Sequence, residues 1–215
     1  MLRVALTYDA EHPDRPSSPG VQERLLDTLD LLAVRATFFV QGRWAEAYPA
    51  TARRIADGGH LVGNHSHYHA RMSYLSDEGL SLDIAEAQAA IGDATGSDPR
   101  PWFRCPFGNG ADDPRVLRAI EAAGYGQVGW DVEAFDWEPD MPVETVVDVL
   151  VNGAIEHGDG TILLLHTWPE QAERATPEIV SRLRDAGAEL VRCDELIAVS
   201  GTVGAGSPSS PASAA

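Results

Sequence analysis

The sequence predicts a parallel α/β fold built as a single domain, with polar side chains gathered at one edge of the sheet. Seven strand-like segments alternate with helical patterns along the 215 residues, a length that suits one domain. The strand segments are apolar on both faces, as in sheets that helices cover. Polar motifs directly follow several strands, and in parallel α/β folds the carboxyl ends of the strands form the ligand site.

The first half of the chain predicts three strand–helix units. Its strands are recognised by alternation or by short apolar runs, and its helices by apolar residues three and four positions apart. Glycines mark the ends of the second and third helices. In chain order, the predicted elements are strand 3–9, helix 21–34, strand 36–40, helix 44–57, strand 60–64 and helix 77–95.

The second half repeats this alternation. Pro142 suits the first turn of a helix, and the segment before His166 is a fully apolar strand. In chain order, the predicted elements are strand 101–103, helix 114–123, strand 125–130, helix 142–156, strand 161–165, helix 177–186 and strand 189–192. The last residues, 200–215, are rich in Gly, Ser, Pro and Ala and predict a disordered tail after a domain over residues 1–199.

Composition excludes several classes of function. Sixteen basic and 33 acidic residues give a net charge of −17, which disfavours nucleic acid and anionic membranes as partners. Every basic residue is Arg, so Schiff-base lysine chemistry is excluded. Cys105 and Cys193 are interpreted as buried thiols. No apolar run is long enough to span a bilayer and no signal peptide is visible, so we expect a cytoplasmic protein or a chain whose export segment was removed.

Several motifs at predicted strand ends carry residues suited to metal-assisted hydrolysis. His65 and His69 are four residues apart after the third strand, Asp9 ends the first, and His166 follows the sixth. Arg104 follows another short strand, and the Asp136-Trp137 pair follows the strand predicted over residues 125–130. A histidine pair at this spacing is weak evidence alone, but five polar motifs on one rim are hard to explain by chance.

These motifs resemble those of the polysaccharide deacetylase family, which includes chitooligosaccharide and peptidoglycan N-deacetylases with a distorted (β/α)7 barrel. The resemblance covers about residues 1–195, with order and spacing in agreement. The matching segments are Thr7-Tyr8-Asp9, residues 36–40 with Gly42, residues 59–69, Arg104 with Pro106-Phe107-Gly108, Asp136-Trp137 and Leu164-Leu165-His166.

The resemblance implies a role for each of the matching polar residues. Asp9 would be the general base, with Arg104 beside it to stabilise its charge. His65 and His69 would bind a divalent metal, and zinc is the default although nickel and cobalt suit similar ligands. The intervening His67 is interpreted as structural or exposed. His166 would be the general acid, oriented by Asp136; the alternatives are a strand-end cap for Asp9, a surface ion pair for Arg104 and a core histidine for His166.

Three aromatic residues are expected to contact the substrate. Phe107 and Trp137 suit a wall on which a sugar stacks, although burial is the commoner role for such residues. The backbone N–H near Phe107 is where the family forms part of its oxyanion hole. Trp168 follows His166 where relatives often have Asp, and it would narrow the pocket or supply another stacking face.

The sequence departs from the family pattern at Ala10. Relatives usually carry a second aspartate there as the third metal ligand, and alanine cannot bind a metal. Glu11 is our candidate replacement, because residues two apart on a strand share a face and Asp9 and Glu11 could reach one site. His12 is a weaker substitute. If neither binds, the metal is held by two histidines only or the protein works without metal.

We therefore expect a metal-dependent hydrolase that removes N-acetyl groups from an N-acetylated sugar or oligosaccharide. Alternatives are an acetyl-ester hydrolase acting on substrates such as acetyl-xylan, a metal-free cyclic-amide hydrolase, and a carbohydrate-binding relative that lost catalysis through Ala10. A scaffold without a small-molecule role would not need Asp9, Arg104, Asp136 and His166 together.

Overall fold

Eight parallel strands and eight α-helices make up the part of the chain that the computed structural model describes, residues 1–15 and 17–197. The predicted tail over residues 200–215 lies outside the described residues. The strands are β1 Leu2–Ala10, β2 Thr37–Val40, β3 Leu61–Asn64, β4 Trp102–Phe103, β5 Gly126–Gln127, β6 Val132–Glu133, β7 Thr161–His166 and β8 Ala188–Val191.

The helices alternate with these strands, as the periodicity predicts. Ser76 caps the longest helix by accepting a hydrogen bond from the N–H of Gly79, and Gly96 ends it with a left-handed φ of 73°. The helices are α1 Val21–Leu31, α2 Gly42–Ala47, α3 Pro49–Asp57, α4 Asp77–Thr95, α5 Pro114–Ala122, α6 Val143–His157, α7 Glu170–Asp185 and α8 Cys193–Leu196.

The strands form one curled sheet in the order β5-β4-β3-β2-β1-β7-β6. β1 lies at its centre, with β7 along one edge and the other edge shared between β2 and β8. Since the path ends at β5 and β6, the described strands curl into an incompletely closed barrel. This architecture confirms the predicted fold class, a distorted (β/α)7 barrel.

Alternation along β1 separates the helix-facing core from the barrel interior. Its even-numbered residues, such as Leu6 and Tyr8, pack in the main apolar core with the helices. Ala5 faces the interior, in a smaller apolar cluster with Phe39 and Trp102. Because side chains two apart share a face, β1 directs the polar side chain of Asp9 into the barrel above this cluster. Among the described residues, no helix is long and apolar enough to cross a membrane.

Several elements differ from their sequence-based predictions. The helix predicted over residues 44–57 is divided into α2 and α3, because Pro49 has no N–H and disfavours a helical conformation at Tyr48. The helix predicted to begin at Pro177 begins a full two turns earlier, at Glu170, and contains the proline. The strand predicted over residues 125–130 is limited to β5, and the short strand β6 and the short helix α8 were not predicted.

A buried histidine between α3 and β3 links stability to pH. His60 accepts a hydrogen bond at Nδ1 from the N–H of Ala36 (3.1 Å), and its ring packs edge-on against Phe38. Burial, reinforced by the positive charge of Arg35, lowers the pKa of His60 to about 4. The imidazole is therefore neutral in the folded protein at neutral pH.

We expect stability to fall as the pH drops from about 6.5, the pKa of an unperturbed histidine, towards 4. In this window the unfolded chain binds a proton at His60 and the folded protein does not, so protonation favours unfolding. Across this whole window the free energy of unfolding should fall by about 3 kcal/mol through His60. Urea denaturation at pH 7 and pH 4.5 should show a smaller loss in His60→Gln than in the wild type; equal losses would contradict this account.

Candidate active site

Asp9 lies at the carboxyl end of β1 and forms a buried ion pair with Arg104, which follows β4. Arg104 Nη1 donates to Asp9 Oδ1 and to Thr7 Oγ1, both at 2.8 Å. Its Nη2 donates to the carbonyl of Gly129 (2.9 Å), and the guanidinium lies 4.0 Å from the centre of the Phe39 ring. Because Arg104 is fully buried, its charge requires the Asp9 carboxylate as a partner.

Glu11 follows β1 and directs its carboxylate towards His65 and His69. Its Oε2 lies 3.2 Å from His65 Nε2 and also contacts His69 Nε2. Asp9 Oδ2 lies 3.4 Å from the same His65 nitrogen. Glu11, His65 and His69, here called the ligand cluster, each offer one atom within 4.8 Å of the others. Asp9 and Glu11 therefore reach the same site, as their spacing predicts.

The two histidines of the ligand cluster converge through a loop rather than along a helix. His65 Nδ1 lies 2.9 Å from the carbonyl of Arg104. Since a carbonyl only accepts, Nδ1 carries a proton, and the other ring nitrogen, Nε2, faces Glu11. Ser66 and His69 both adopt a left-handed backbone, and Ser66 Oγ accepts the N–H of His69 at 2.9 Å. These two conformations turn the chain after β3 so that both rings reach Glu11.

His12 contacts the Glu11 oxygen that the ligand histidines do not share. Its Nε2 lies 2.9 Å from Glu11 Oε1, and its N–H donates to Gln41 Oε1 at 2.9 Å. Gln41 Nε2 in turn donates to the carbonyl of His67. His12 is held in a left-handed conformation with φ 56°. It therefore lies beside the carboxylate of Glu11 without joining His65 and His69 at Oε2.

His67 lies outside the ligand cluster, in agreement with its structural interpretation. Its N–H donates to Asp83 Oδ2 at 3.1 Å, and its ring lies against α2. A Cβ at Gly42 would come within 2.3 Å of His67 Nδ1, so glycine is required where the two segments meet. The ring is buried there, which excludes the exposed alternative.

His166 ends β7 next to Asp9, its partner in the strand register. Asp136 holds it at two points, because Oδ1 contacts His166 Nδ1 and Oδ2 accepts the N–H of His166, both at 2.8 Å. Asp136 is fully buried. The second ring nitrogen, Nε2, lies 3.9 Å from Glu11 Oε1. Asp136 therefore directs Nε2 towards the site.

The charges of Glu11 and His166 are set by their neighbours. Burial would raise the pKa of Glu11, but hydrogen bonds from His12, His65 and His69 outweigh it and hold the pKa well below its usual range. Burial would lower the pKa of His166, yet the charge and hydrogen bond of Asp136 raise it to about 10. At neutral pH the site thus combines a carboxylate with an imidazolium that can donate a proton.

Two of the three predicted aromatic residues lie beside the histidines. The Phe107 ring, 53% exposed, packs against His69 with 4.4 Å between centres. Trp168 is half-buried, and its ring centre lies 6.4 Å from that of His166. Trp137 instead packs against Phe135 and directs its indole N–H to Glu133 Oε1 at 3.4 Å.

Sequence reasoning missed Thr7, Phe39 and Gln41 as parts of the site. Thr7 lies two residues before Asp9 on the same strand face, so alternation could have identified it. Phe39 and Gln41 occupy the corresponding end of β2, and their contacts with Arg104 and His12 depend on the strand register, which the sequence pattern does not fix.

The donor set fits a divalent metal such as zinc. Two imidazole nitrogens and one carboxylate oxygen are the ligands of many catalytic zinc sites, which leave a further position open. The carbonyl of Arg104 supplies the outer hydrogen bond that orients a ligand histidine. Asp9, Glu11 and His166 form a second group within 4.8 Å. It fits less well, because Arg104 holds Asp9 and a protonated His166 cannot bind a metal.

Comparison with known proteins gives the family. The family model described as polysaccharide deacetylase matches residues 2–128, more than half of the chain. The chain belongs to the polysaccharide deacetylase family. It is 30% identical over 163 residues to a chitooligosaccharide deacetylase of Azorhizobium caulinodans, covering 76% of this chain and 72% of that one. The family resemblance inferred from the motifs is therefore confirmed.

Other relatives act on peptidoglycan according to their names. The chain is 34% identical to the peptidoglycan-N-acetylmuramic acid deacetylase PdaC of Bacillus subtilis and 32% identical to the peptidoglycan-N-acetylglucosamine deacetylase PgdA of Listeria monocytogenes. Both matches cover 90% of this chain but 38% of the relative. The chain thus spans less than half the length of these two curated relatives.

Solved structures of the family share the fold. PdaC of Bacillus subtilis superposes with a TM-score of 0.77 at 31% identity, covering 91% of this chain and 89% of that one. A family 4 carbohydrate esterase pseudoenzyme from Bacillus anthracis gives 0.76 at 27% identity, covering 90% and 64%. Because one of these neighbours is a pseudoenzyme, the fold alone does not establish activity, and the residues of the site must carry that argument.

Proposed function

We propose that this protein is a divalent-metal-dependent deacetylase that hydrolyses N-acetyl groups on a sugar or oligosaccharide. The observation that supports this most directly is that Asp9 and His166 adjoin the ligand cluster of Glu11, His65 and His69. A base, an acid and a metal-binding group thus meet at the carboxyl end of β1 and β7. Relatives named as chitooligosaccharide and peptidoglycan deacetylases support the choice of an N-acetylated carbohydrate.

The roles of the residues follow from their contacts. Glu11, His65 and His69 would hold the metal, which when bound would polarise the acetyl carbonyl and favour deprotonation of water. Asp9, fixed by Arg104, accepts a proton from the attacking water. His166 donates the proton at Nε2 to the amine nitrogen as the C–N bond breaks. Asp136 stabilises the charged imidazole before that transfer.

The position of Glu11 favours an active enzyme over a sugar-binding relative that lost its metal. Ala10 removes the usual carboxylate, but Glu11 Oε2 contacts both ligand histidines. The third ligand is therefore supplied one residue later. Hydrolysis of acetyl esters remains the second candidate, because a family 4 carbohydrate esterase from Streptomyces lividans, solved in complex with acetate, is similar to this chain (TM-score 0.74, 33% identity, covering 87% of this chain and 90% of that one).

Acetate release from chitooligosaccharides, peptidoglycan glycan strands and acetyl-xylan tests this proposal. We expect the zinc-loaded wild type to release acetate from an N-acetylated substrate. In Asp9→Asn the rate should fall by about 10²–10⁴, because asparagine retains the shape of Asp9 but cannot accept the proton. Metal content and thermal stability serve as controls. An Asp9→Asn rate within threefold of the wild type would contradict the assignment, and release from acetyl-xylan alone would favour the esterase.

A further inference from the structure

Two arginines lie at the ends of a row of rings that passes through the site. The guanidinium carbon of Arg15 lies 4.7 Å from the centre of the Trp168 ring, and that of Arg71 lies 4.7 Å from the centre of the Phe107 ring. Both arginine side chains are exposed. A positive charge thus lies against Trp168, which is beside His166, and another lies against Phe107, which is beside His69.

The rings between these arginines are in contact range of one another. Trp168 lies 6.3 Å from His12, His12 lies 4.6 Å from His69, and His69 lies 4.4 Å from Phe107, measured between ring centres. Each arginine is thus separated from a histidine of the site by one aromatic ring. A sugar bound at the ligand cluster would have substituents within reach of such flexible side chains.

Neither guanidinium is engaged by a carboxylate. Within the described residues, which include every Asp and Glu of the chain, no carboxylate oxygen forms an ion pair with Arg15 or Arg71 within 4.0 Å. Asp14, next to Arg15 in sequence, pairs instead with Arg43 at 2.9 Å. Most other surface arginines are paired, such as Arg182 with Asp148 at 2.6 Å, whereas the exposed Arg53, Arg118, Arg174 and Arg184 form no ion pair with a carboxylate of the described residues. Arg15 and Arg71 differ from these four because each lies over an aromatic ring beside the site, with its charge free to meet a ligand.

Backbone turns fix both arginines relative to the site. The N–H of Arg15 donates to the carbonyl of His12 at 3.0 Å, which closes the turn that begins beside Glu11. Arg71 lies two residues after His69 of the ligand cluster, and its carbonyl accepts a hydrogen bond from the N–H of Tyr74 at 3.0 Å. The positions of the two residues therefore follow from the same loops that build the ligand cluster.

We propose that Arg15 and Arg71, at opposite ends of this row of rings, each bind an anionic group of the substrate, a carboxylate or a phosphate, so that the enzyme prefers an acidic N-acetylated sugar to a neutral one. A guanidinium stacked on a ring uses its face for the cation–π contact and keeps its N–H edge for hydrogen bonds to anionic oxygens. The negative surface would otherwise repel such a substrate. This inference rests on the proposed function, since it concerns the substrate of that same site.

Calorimetric binding to zinc-loaded Asp9→Asn protein tests this inference without depending on turnover. One pair of probes is peptidoglycan glycan strands freed of peptides and the same strands with their carboxylates reduced to alcohols. The other is N-acetylglucosamine 6-phosphate and N-acetylglucosamine. We expect at least about tenfold tighter binding of the anionic member of one pair, with the responsive pair identifying carboxylate or phosphate.

The ratio of the affinities for the anionic and the neutral probe should come close to one when Arg15→Gln and Arg71→Gln are added to this protein. Arg118→Gln, which removes an exposed arginine from α5, should leave the ratio unchanged. Equal affinities within both pairs, or a ratio that survives in the double arginine variant, would overturn the inference. If the ratio depends on the arginines but the zinc-loaded wild type releases no acetate, the anion site stands and the deacetylase assignment fails. Acetate release with no arginine-dependent ratio would instead uphold the deacetylase assignment and overturn the anion site.

Discussion

The Glu11→Ala protein is expected to lose its divalent metal and, with it, acetate release. Glu11 Oε2 contacts both His65 and His69, so its removal leaves two imidazoles and no carboxylate in the ligand cluster. Loss of an outer partner alone commonly costs about 10–100-fold in metal affinity, and we expect the loss of a direct ligand to exceed about 100-fold. Competition with a zinc-binding chromophore measures this affinity in the purified protein.

Two variants make this result specific. Glu46→Ala removes a glutamate near His67, outside the ligand cluster, and should bind zinc like the wild type. His12→Ala removes the contact with Glu11 Oε1 but spares Oε2, so it should weaken zinc binding less than Glu11→Ala does. Undiminished zinc affinity in Glu11→Ala, together with a large loss in His12→Ala, would assign the third ligand to His12 instead.

The His166→Ala protein is expected to bind zinc normally but to release acetate about 10²–10⁴-fold more slowly. His166 would protonate the leaving amine, and the preferred ligand set does not include it. The distinction from Glu11→Ala is therefore that metal is retained while turnover is lost. A protein that loses zinc on His166→Ala would place this residue in the metal site and contradict its role as the acid.

Asp136→Asn tests the same role through the pH profile. An acid must be protonated to act, so activity falls as the pH rises through its pKa. The negative charge of Asp136 is the main interaction that raises the pKa of His166, to about 10, against the effect of burial. Without it the alkaline loss of activity should begin at lower pH, measured as kcat against pH from 6 to 10. An alkaline limb at the same pH in both proteins would contradict this coupling.

Most of the fold could be predicted because the apolar pattern and the boundary residues agree. The helix over residues 77–95 was predicted to the residue, since Ser76 and Gly96 supply the cap and the stop. The divided helix at Pro49 and the early start of α7 were not predicted. In α7 the buried residues Ala172 and Thr176 show that packing favours helix before Pro177, and local signals did not reveal this.

The sequence predicted most residues of the candidate site, but it did not predict all the contacts between them. The strand ends identified Asp9, His65, Arg104 and His166, because parallel strands bring their carboxyl ends together. The left-handed turns at Ser66 and His69 could not be predicted, because neither position carries glycine, the residue that most readily adopts this conformation. The stacking of Arg15 on Trp168 could not be foreseen either, because these residues lie more than 150 positions apart.

The proposed shift of the third metal ligand, a carboxylate, from position 10 to position 11 would separate this chain from the usual family pattern. Alternation alone predicts that a residue after Asp9 on the same strand face is Glu11 and not Ala10. The packing agrees, since Ala10 lies in the helix-facing core and Glu11 lies against the ligand histidines. Under the proposed function the site thus gains a ligand with a longer side chain, from a position where the chain is leaving β1.

The most direct test of this account is titration of the metal-free wild type with zinc, with acetate release from an N-acetylated oligosaccharide measured in the same samples. The account predicts one zinc per chain and a rate of acetate release that rises in proportion to zinc bound. Acetate release that is independent of zinc, or stoichiometric zinc binding without acetate release from any N-acetylated substrate, would contradict it.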